Sequence, residues 1–147
     1  MEGLSELRSR IEIADGLAAL AQAQDAHDWK AVAGFFLPEA TYIHPGGTLI
    51  GVDAIVDRIV RALDRLDASQ HLVGSIVTRL DDEGASSVAH FQALHVRAGT
   101  VGGDLYTIGG SYADRWVQTG GGWRIASRTQ TYQWRDGNRD VVAAPSE

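Results

Sequence analysis

Gly51-Val52-Asp53-Ala54-Ile55-Val56-Asp57-Arg58-Ile59-Val60-Arg61-Ala62-Leu63-Asp64-Arg65-Leu66 is the most strongly periodic stretch of the chain. Its apolar residues Val52, Ile55, Val56, Ile59, Val60, Leu63 and Leu66 recur at the spacing of one helix face, while Asp53, Asp57, Arg58, Arg61 and Arg65 hold the other. Acidic residues come early and basic ones late, the order that the helix dipole prefers. Beyond Ser69 the period changes to that of strands. Four β-like segments, about 71–80, 86–98, 104–119 and 122–134, are divided by Asp82-Glu83-Gly84, Gly99 to Gly103 and Gly120-Gly121-Gly122, all hairpin-type turns.

Upstream of Gly51 the chain is mostly helical. Leu4 to Gln24 carries one long pattern whose face reads Leu7, Ile11, Ala14, Ala18 and Ala21, widened by Ile13, Leu17 and Leu20. Asp28 is a good N-cap for a short second helix through Trp29, Val32, Phe35 and Phe36, which Pro38 stops. Thr41 to His44 is a short β-type run closed by Pro45-Gly46-Gly47, and Thr48 to Ile50 adds a stub of strand. Helices first and an antiparallel sheet later predict an α+β fold with the helices on one face of the sheet. A curved sheet closed by three helices is a cone with a cavity. The expected domain is single, spanning 1–147, with a core over about 5–136 and a flexible C-terminal tail after Gly137.

Composition narrows the chemistry. Thirteen Lys and Arg against nineteen Asp and Glu give a formal charge of −6, which argues against nucleic acid and anionic membrane surfaces as partners. There is no cysteine, so disulfides, thiolate nucleophiles and cysteine-held metals are excluded. The histidines show no HxH, HxxxH or HExxH spacing, and neither a phosphate-cradling loop nor a GxSxG elbow occurs. No metal and no cofactor are expected. The longest apolar run, Ala31 to Leu37, is too short to span a bilayer, and the N-terminus lacks a signal-like apolar region, so a cytoplasmic protein is expected.

Among residues able to do chemistry, Asp25 comes first. Extending the face 7, 11, 14, 18, 21 by four lands on it, although a solvated Asp in a fraying turn, or a cap for the second helix, fits the same position. His71 opens the first long strand with the parity of Val73, Ser75 and Val77. A carboxylate that accepts from one ring nitrogen frees the other to act as a base, so the two form the smallest useful catalytic unit. Taken alone, His71 equally suits a structural histidine. Tyr42 and His44 share one strand face, and His44 is either a second proton-transfer group or a polar residue closing a turn. His90 and His95 have opposite parity, so one of them at most faces a cavity.

Several words of the chain, in order, resemble the SnoaL-like branch of the nuclear transport factor 2-like superfamily. They are Ala23-Gln24-Asp25-Ala26-His27-Asp28-Trp29, Phe35-Phe36 to Ala40-Thr41-Tyr42, Gly51-Val52-Asp53-Ala54-Ile55, Gln70-His71-Leu72, Gly109-Gly110-Ser111-Tyr112-Ala113-Asp114 and Gly122-Trp123-Arg124-Ile125. The resemblance covers roughly residues 5–136 and is greatest to the dehydratase group, which contains scytalone dehydratase, bile acid dehydratase and hexachlorocyclohexane dehydrochlorinase. It implies a cone-shaped sheet lidded by three helices, with Asp25 and His71 at the places of an orienting Asp and a His base. It also implies that Tyr42, Ile108 and Tyr112 line the pocket. The chain departs from the group at Leu20, where Tyr or Lys is common. It departs again at Thr131, eight residues after Trp123, which takes the place of an Arg and is the substrate-binding candidate there. Ketosteroid isomerase, on the same fold, carries its base at a place similar to that of His44.

The expected function is a cofactor-independent lyase, eliminating in the manner of a dehydratase from a small hydrophobic cyclic substrate. An isomerase or polyketide-type cyclase with His44 as proton carrier is the alternative, as is a non-catalytic ligand-binding or assembly module. The expected partners are that small substrate and a second or third copy of the chain, as a homodimer or homotrimer, because alternating Trp and Val leave an outer sheet face partly apolar.

Overall fold

The computed structural model describes residues 2–143. Helix α1 spans Glu2–Asp25 and α2 Trp29–Gly34, followed by strands β1, Phe36–His44, and β2, Gly47–Ile50. Helix α3 is Val52–Leu63. Four long strands then complete the sheet: β3, Ala68–Asp81; β4, Gly84–Val96; β5, Leu105–Thr119; and β6, Gly122–Gly137. A 3₁₀ turn, Arg139–Val141, follows β6. The six strands form one curled, unclosed sheet in the order β2-β1-β6-β5-β4-β3, with the three helices packed against it, so the α+β expectation holds. One pairing differs from an all-antiparallel sheet: β1 lies parallel to β6.

Helix α3 follows its periodicity. Ile55, Ile59 and Leu63 are buried and Val52 half-buried; full burial of such side chains is worth about 1.5–3 kcal/mol each. Helix α1 is rotated from the expected face. Its buried row is Ile13, Leu17, Leu20 and Gln24 with Ala21, while Leu7, Ile11 and Ala18 are exposed. The heavier side chains bury more apolar area, and alanines fit either row. The second helix ends at Gly34, and Phe36 and Pro38 belong to β1 rather than to a helix stop. Pro38 is tolerated because the β1–β6 register is broken between Phe36 and Thr41, where a ladder donor is not needed.

Three irregularities bend the long strands. In β3 the register slips between Gly74 and Val77, with Ser75 at φ 50°, so Ile76 turns inward and Val77 outward, against the expected parity. In β6 one slip lies opposite Arg115/Trp116, and a second lies opposite Gly109/Gly110. The second needs its glycines: a Cβ on Gly110 would stand 1.9 Å from the Thr131 carbonyl oxygen, and one on Gly109 2.0 Å from the Trp134 ring. The tail expected to fray after Gly137 is instead anchored as far as residue 143. Asn138 Nδ2 donates to the carbonyls of Val101 and Gly103, Val141 is buried, and Arg65 donates to the Ala143 carbonyl. Residues 1 and 144–147 lie outside the described ones. Among the described residues no helix is long and apolar enough to cross a membrane. On the outer sheet face Leu72, Val77 and Val88 are exposed, and Val77 faces Val88 across the ladder.

Candidate active site

Asp25 is the last residue of α1, on the flank of its buried row, and His71 lies in the inward row of β3. The His71 Nδ1 stands 2.6 Å from Asp25 Oδ1. The His71 backbone N–H donates to Oδ2 at 2.9 Å, and the Ser69 hydroxyl donates to Oδ1 at 2.9 Å. Burial raises the Asp25 pKa, but the bonds from His71 and Ser69 outweigh it and hold the carboxyl below its ordinary 3.8. An ionised acceptor fixes the proton of a neutral His71 on Nδ1, which leaves the lone pair on Nε2. The side chains are 6% exposed for His71 and 22% for Asp25, so the imidazole is the more sheltered of the two.

His71 borders a cavity of about 210 Å³ inside the cone, and Tyr42, Ile108 and Tyr112 are among the residues that line it. Asp25 does not; it sits behind His71. The Tyr42 hydroxyl donates to Gln130 Oε1 at 2.8 Å, and burial pushes its pKa up to about 12, so it is a neutral donor at ordinary pH. The Gln130 amide NH₂, on the same wall, remains for a ligand. Thr131 is exposed on the outer face and lines no part of this cavity, contrary to expectation. Counting in twos from Trp123 places it inside, but the slip in β6 between Ile125 and Ser127 inverts the parity, so Arg128, Gln130 and Tyr132 face inward. A larger concavity, about 600 Å³, lies between the start of α1 and the β3–β4 turn. Its lining includes Glu6, Asp81, Asp82 and Glu83 and no histidine, so the smaller cavity is the candidate site.

The SnoaL-like domain profile matches residues 5–129. The chain belongs to the SnoaL-like domain family. Among solved structures, a hexachlorocyclohexane dehydrochlorinase (LinA) Type2 is 16% identical with a TM-score of 0.81, covering 97% of this chain and 97% of the other. A scytalone dehydratase-like protein from Novosphingobium aromaticivorans is 17% identical with a TM-score of 0.81, covering 97% and 94%. A nuclear transport factor 2-like superfamily protein from Salmonella enterica is 18% identical with a TM-score of 0.79, covering 92% and 98%. At these identities the likeness is one of fold. No curated protein matches the chain.

This SnoaL-like domain also brings to its site residues that parity counting leaves undecided or misses. His95, not His90, faces the cavity, 5% exposed, with its ring edge-on to His71 at 6.0 Å between centroids. Its Nδ1–H donates to the Tyr106 carbonyl at 3.0 Å, and burial pulls its pKa below the usual histidine value, so it stands neutral with Nε2 as an acceptor. The alternation Phe91, Ala93, His95 was the available signal. Arg128 and Asp114, directly opposite in β6 and β5, form a buried bidentate pair at 2.8 and 2.9 Å, and the guanidinium covers the Tyr112 ring at 3.8 Å. His44 lies outside the cavity of His71, at a neighbouring hollow. Its Nδ1 accepts from the Gly46 N–H at 3.0 Å and faces Arg58 Nη2 at 3.1 Å; burial and then the Arg58 charge hold its pKa down. No group of three or more His, Asp or Glu placed to hold a metal exists among the described residues.

Proposed function

We propose that this chain is a cofactor-independent lyase acting on a small, largely apolar ring compound. The observation that carries the reading is the 2.6 Å contact of His71 Nδ1 with Asp25, on a histidine that lines the cavity inside the cone. Nε2 takes a proton from a ring carbon next to a carbonyl or a leaving group. The C–H electron pair becomes the new double bond, or an enolate, and the leaving group departs with its own bonding pair. Asp25 stabilises the imidazolium that forms. The Gln130 amide, oriented by Tyr42, donates to the oxygen where charge develops, and neutral His95 offers an acceptor beside it.

His44 supports the isomerase alternative less well, because Nδ1 is already engaged and burial, with the Arg58 charge after it, opposes its protonation. The test is dehydration of cyclic β-hydroxy ketones, followed by enone absorbance. His71→Ala is expected to lower kcat/KM by about 10²–10⁴-fold, and His44→Ala far less. Activity that survives His71→Ala and disappears in His44→Ala would overturn the assignment. The exposed Leu72, Val77 and Val88 face supports self-association, for which a monomer in sedimentation equilibrium is the contrary result.

A further inference from the structure

The hollow beside the His71 cavity has a lining unlike the rest of this acidic chain. It measures about 360 Å³ and shares Arg58, Ile108, Tyr132 and Val142 with the His71 cavity, so the two are adjoining compartments with a common wall. Its lining contains Arg58 from α3, Arg135 from the end of β6, Arg139 from the 3₁₀ turn and His44 from β1, and no Asp or Glu. The acidic chain neighbours Asp136 and Asp140 are not part of it. Among the described residues none of the three arginines has a carboxylate within ion-pair distance, whereas Arg8, Arg115 and Arg128 each do. In a chain of net charge −6, three unpaired guanidinium groups converging on one hollow make a local positive field.

The groups are also held in place. Arg58 Nη2 is positioned by His44 Nδ1, and because that nitrogen also accepts from the Gly46 N–H, the ring proton of neutral His44 sits on Nε2. Arg135 stacks over the ring of Tyr132, a residue of the shared wall, at 5.1 Å. Arg139 is placed by the anchored segment after β6, where Asn138 caps the turn and Val141 is buried. The three arginines of this lining therefore present N–H donors that no carboxylate of the described residues meets, and such donors suit an acceptor that carries charge.

We propose that this compartment binds an anionic oxygen group of the substrate, such as a ring carboxylate, while the ring itself occupies the His71 cavity. The inference rests on reading the His71 cavity as the substrate site, and it narrows the substrate class from apolar rings to ring acids.

The test compares 2-naphthoate with its neutral isostere 2-naphthamide by titration calorimetry on the full chain. The naphthoate is expected to bind about tenfold more tightly, the size of one charge-assisted hydrogen bond, and the preference is expected to shrink as salt is added. It should disappear in the Arg135→Gln/Arg139→Gln double variant combined with Arg58→Gln. Because Arg58 is half-buried, the double variant alone serves as the control for folding: its two sites are exposed, and it should lose most of the preference. His71→Ala should keep the preference, so failure of the base assignment and failure of the anion compartment are told apart. Equal affinity for the two probes, no binding of either at millimolar concentration, or a preference that persists in the triple variant would overturn the proposal.

Discussion

Two carboxylates are paired on the concave side of this sheet, Asp114 with Arg128 and Asp25 with His71, and the pairs differ in what they leave over. Asp114 and Arg128 are 0% and 3% exposed and face each other across one ladder position of β5 and β6. Both carboxylate oxygens and two guanidinium nitrogens are consumed in a bidentate contact. Burial alone would lower the Arg128 pKa, but the Asp114 carboxylate more than offsets it and holds the group above its ordinary value. Asp25 and His71 join the end of a helix to the start of a strand, and there the carboxylate takes only one ring nitrogen. The first pair lines no part of the His71 cavity; the second includes a histidine that does, with one ring nitrogen left over. A buried pair becomes a candidate for chemistry when one member borders a cavity with a lone pair to spare, and remains architecture when neither member reaches one.

Substitutions that remove one carboxylate at a time sharpen the contrast. Asp114→Ala leaves the Arg128 charge buried without its partner, so unfolding free energy by urea denaturation is expected to fall by about 3–5 kcal/mol. Asp25→Asn removes an exposed-edge carboxylate whose donors can turn partly to water, so the expected stability loss is about 1–3 kcal/mol. The rate effect runs the other way: Asp25→Asn should lower kcat/KM nearly as far as His71→Ala does, since the amide cannot stabilise the imidazolium. If Asp25→Asn proves the more destabilising of the two, the division between architecture and chemistry fails. The lowered Asp25 pKa adds a sign: its contribution is complete above pH 3.8 and is lost as pH falls through the lower folded value.

The contrast also explains what a reader of the sequence alone can reach. The α3 face is legible because a strong period survives errors of a residue or two; Asp25 and His71 are singled out by residue type and by the family resemblance, since the α1 face that leads to Asp25 is not the buried one. The inward rows of β3 and β6 are not legible. Slips at Ser75 and in β6 invert the parity without any change in residue type, which is why Val77 turned outward and Thr131 left the site. Alanine blurred α1 for a related reason: Ala14, Ala18 and Ala21 mark a face weakly, so the row through Ile13, Leu17 and Leu20 prevailed. The Asp114–Arg128 pair was hidden in the same way, since its members are fourteen residues apart and meet only through the hairpin register. The anchoring of residues 138–143 depends on Asn138 reaching the β4–β5 turn, a contact between segments with no periodic signal of their own.

The smallest expected effect belongs to His95, which sits between the two kinds of pair: buried like Asp114–Arg128, yet with a free ring nitrogen like His71. Desolvation lowers its pKa first and His71 adds to that, against the Tyr106 carbonyl and the Asp25 charge, which favour the proton. As pH falls through 6.5 the unfolded chain takes up a proton at this residue and the folded chain does not. The unfolded state then binds more protons, so stability declines with acid until the lower folded value is passed. One such proton gives a slope of at most about 1.4 kcal/mol per pH unit. His44, lowered in the same direction, contributes a similar component of its own. His95→Asn keeps a donor for the Tyr106 carbonyl and removes the titration, so urea denaturation at pH 7 and pH 5 should show a shallower acid loss than in the parent chain. Equal losses in the two proteins would mean that His95 is protonated in the fold, and with a cation at that place the cavity could not hold His71 as its imidazolium without two charges facing each other at 6.0 Å.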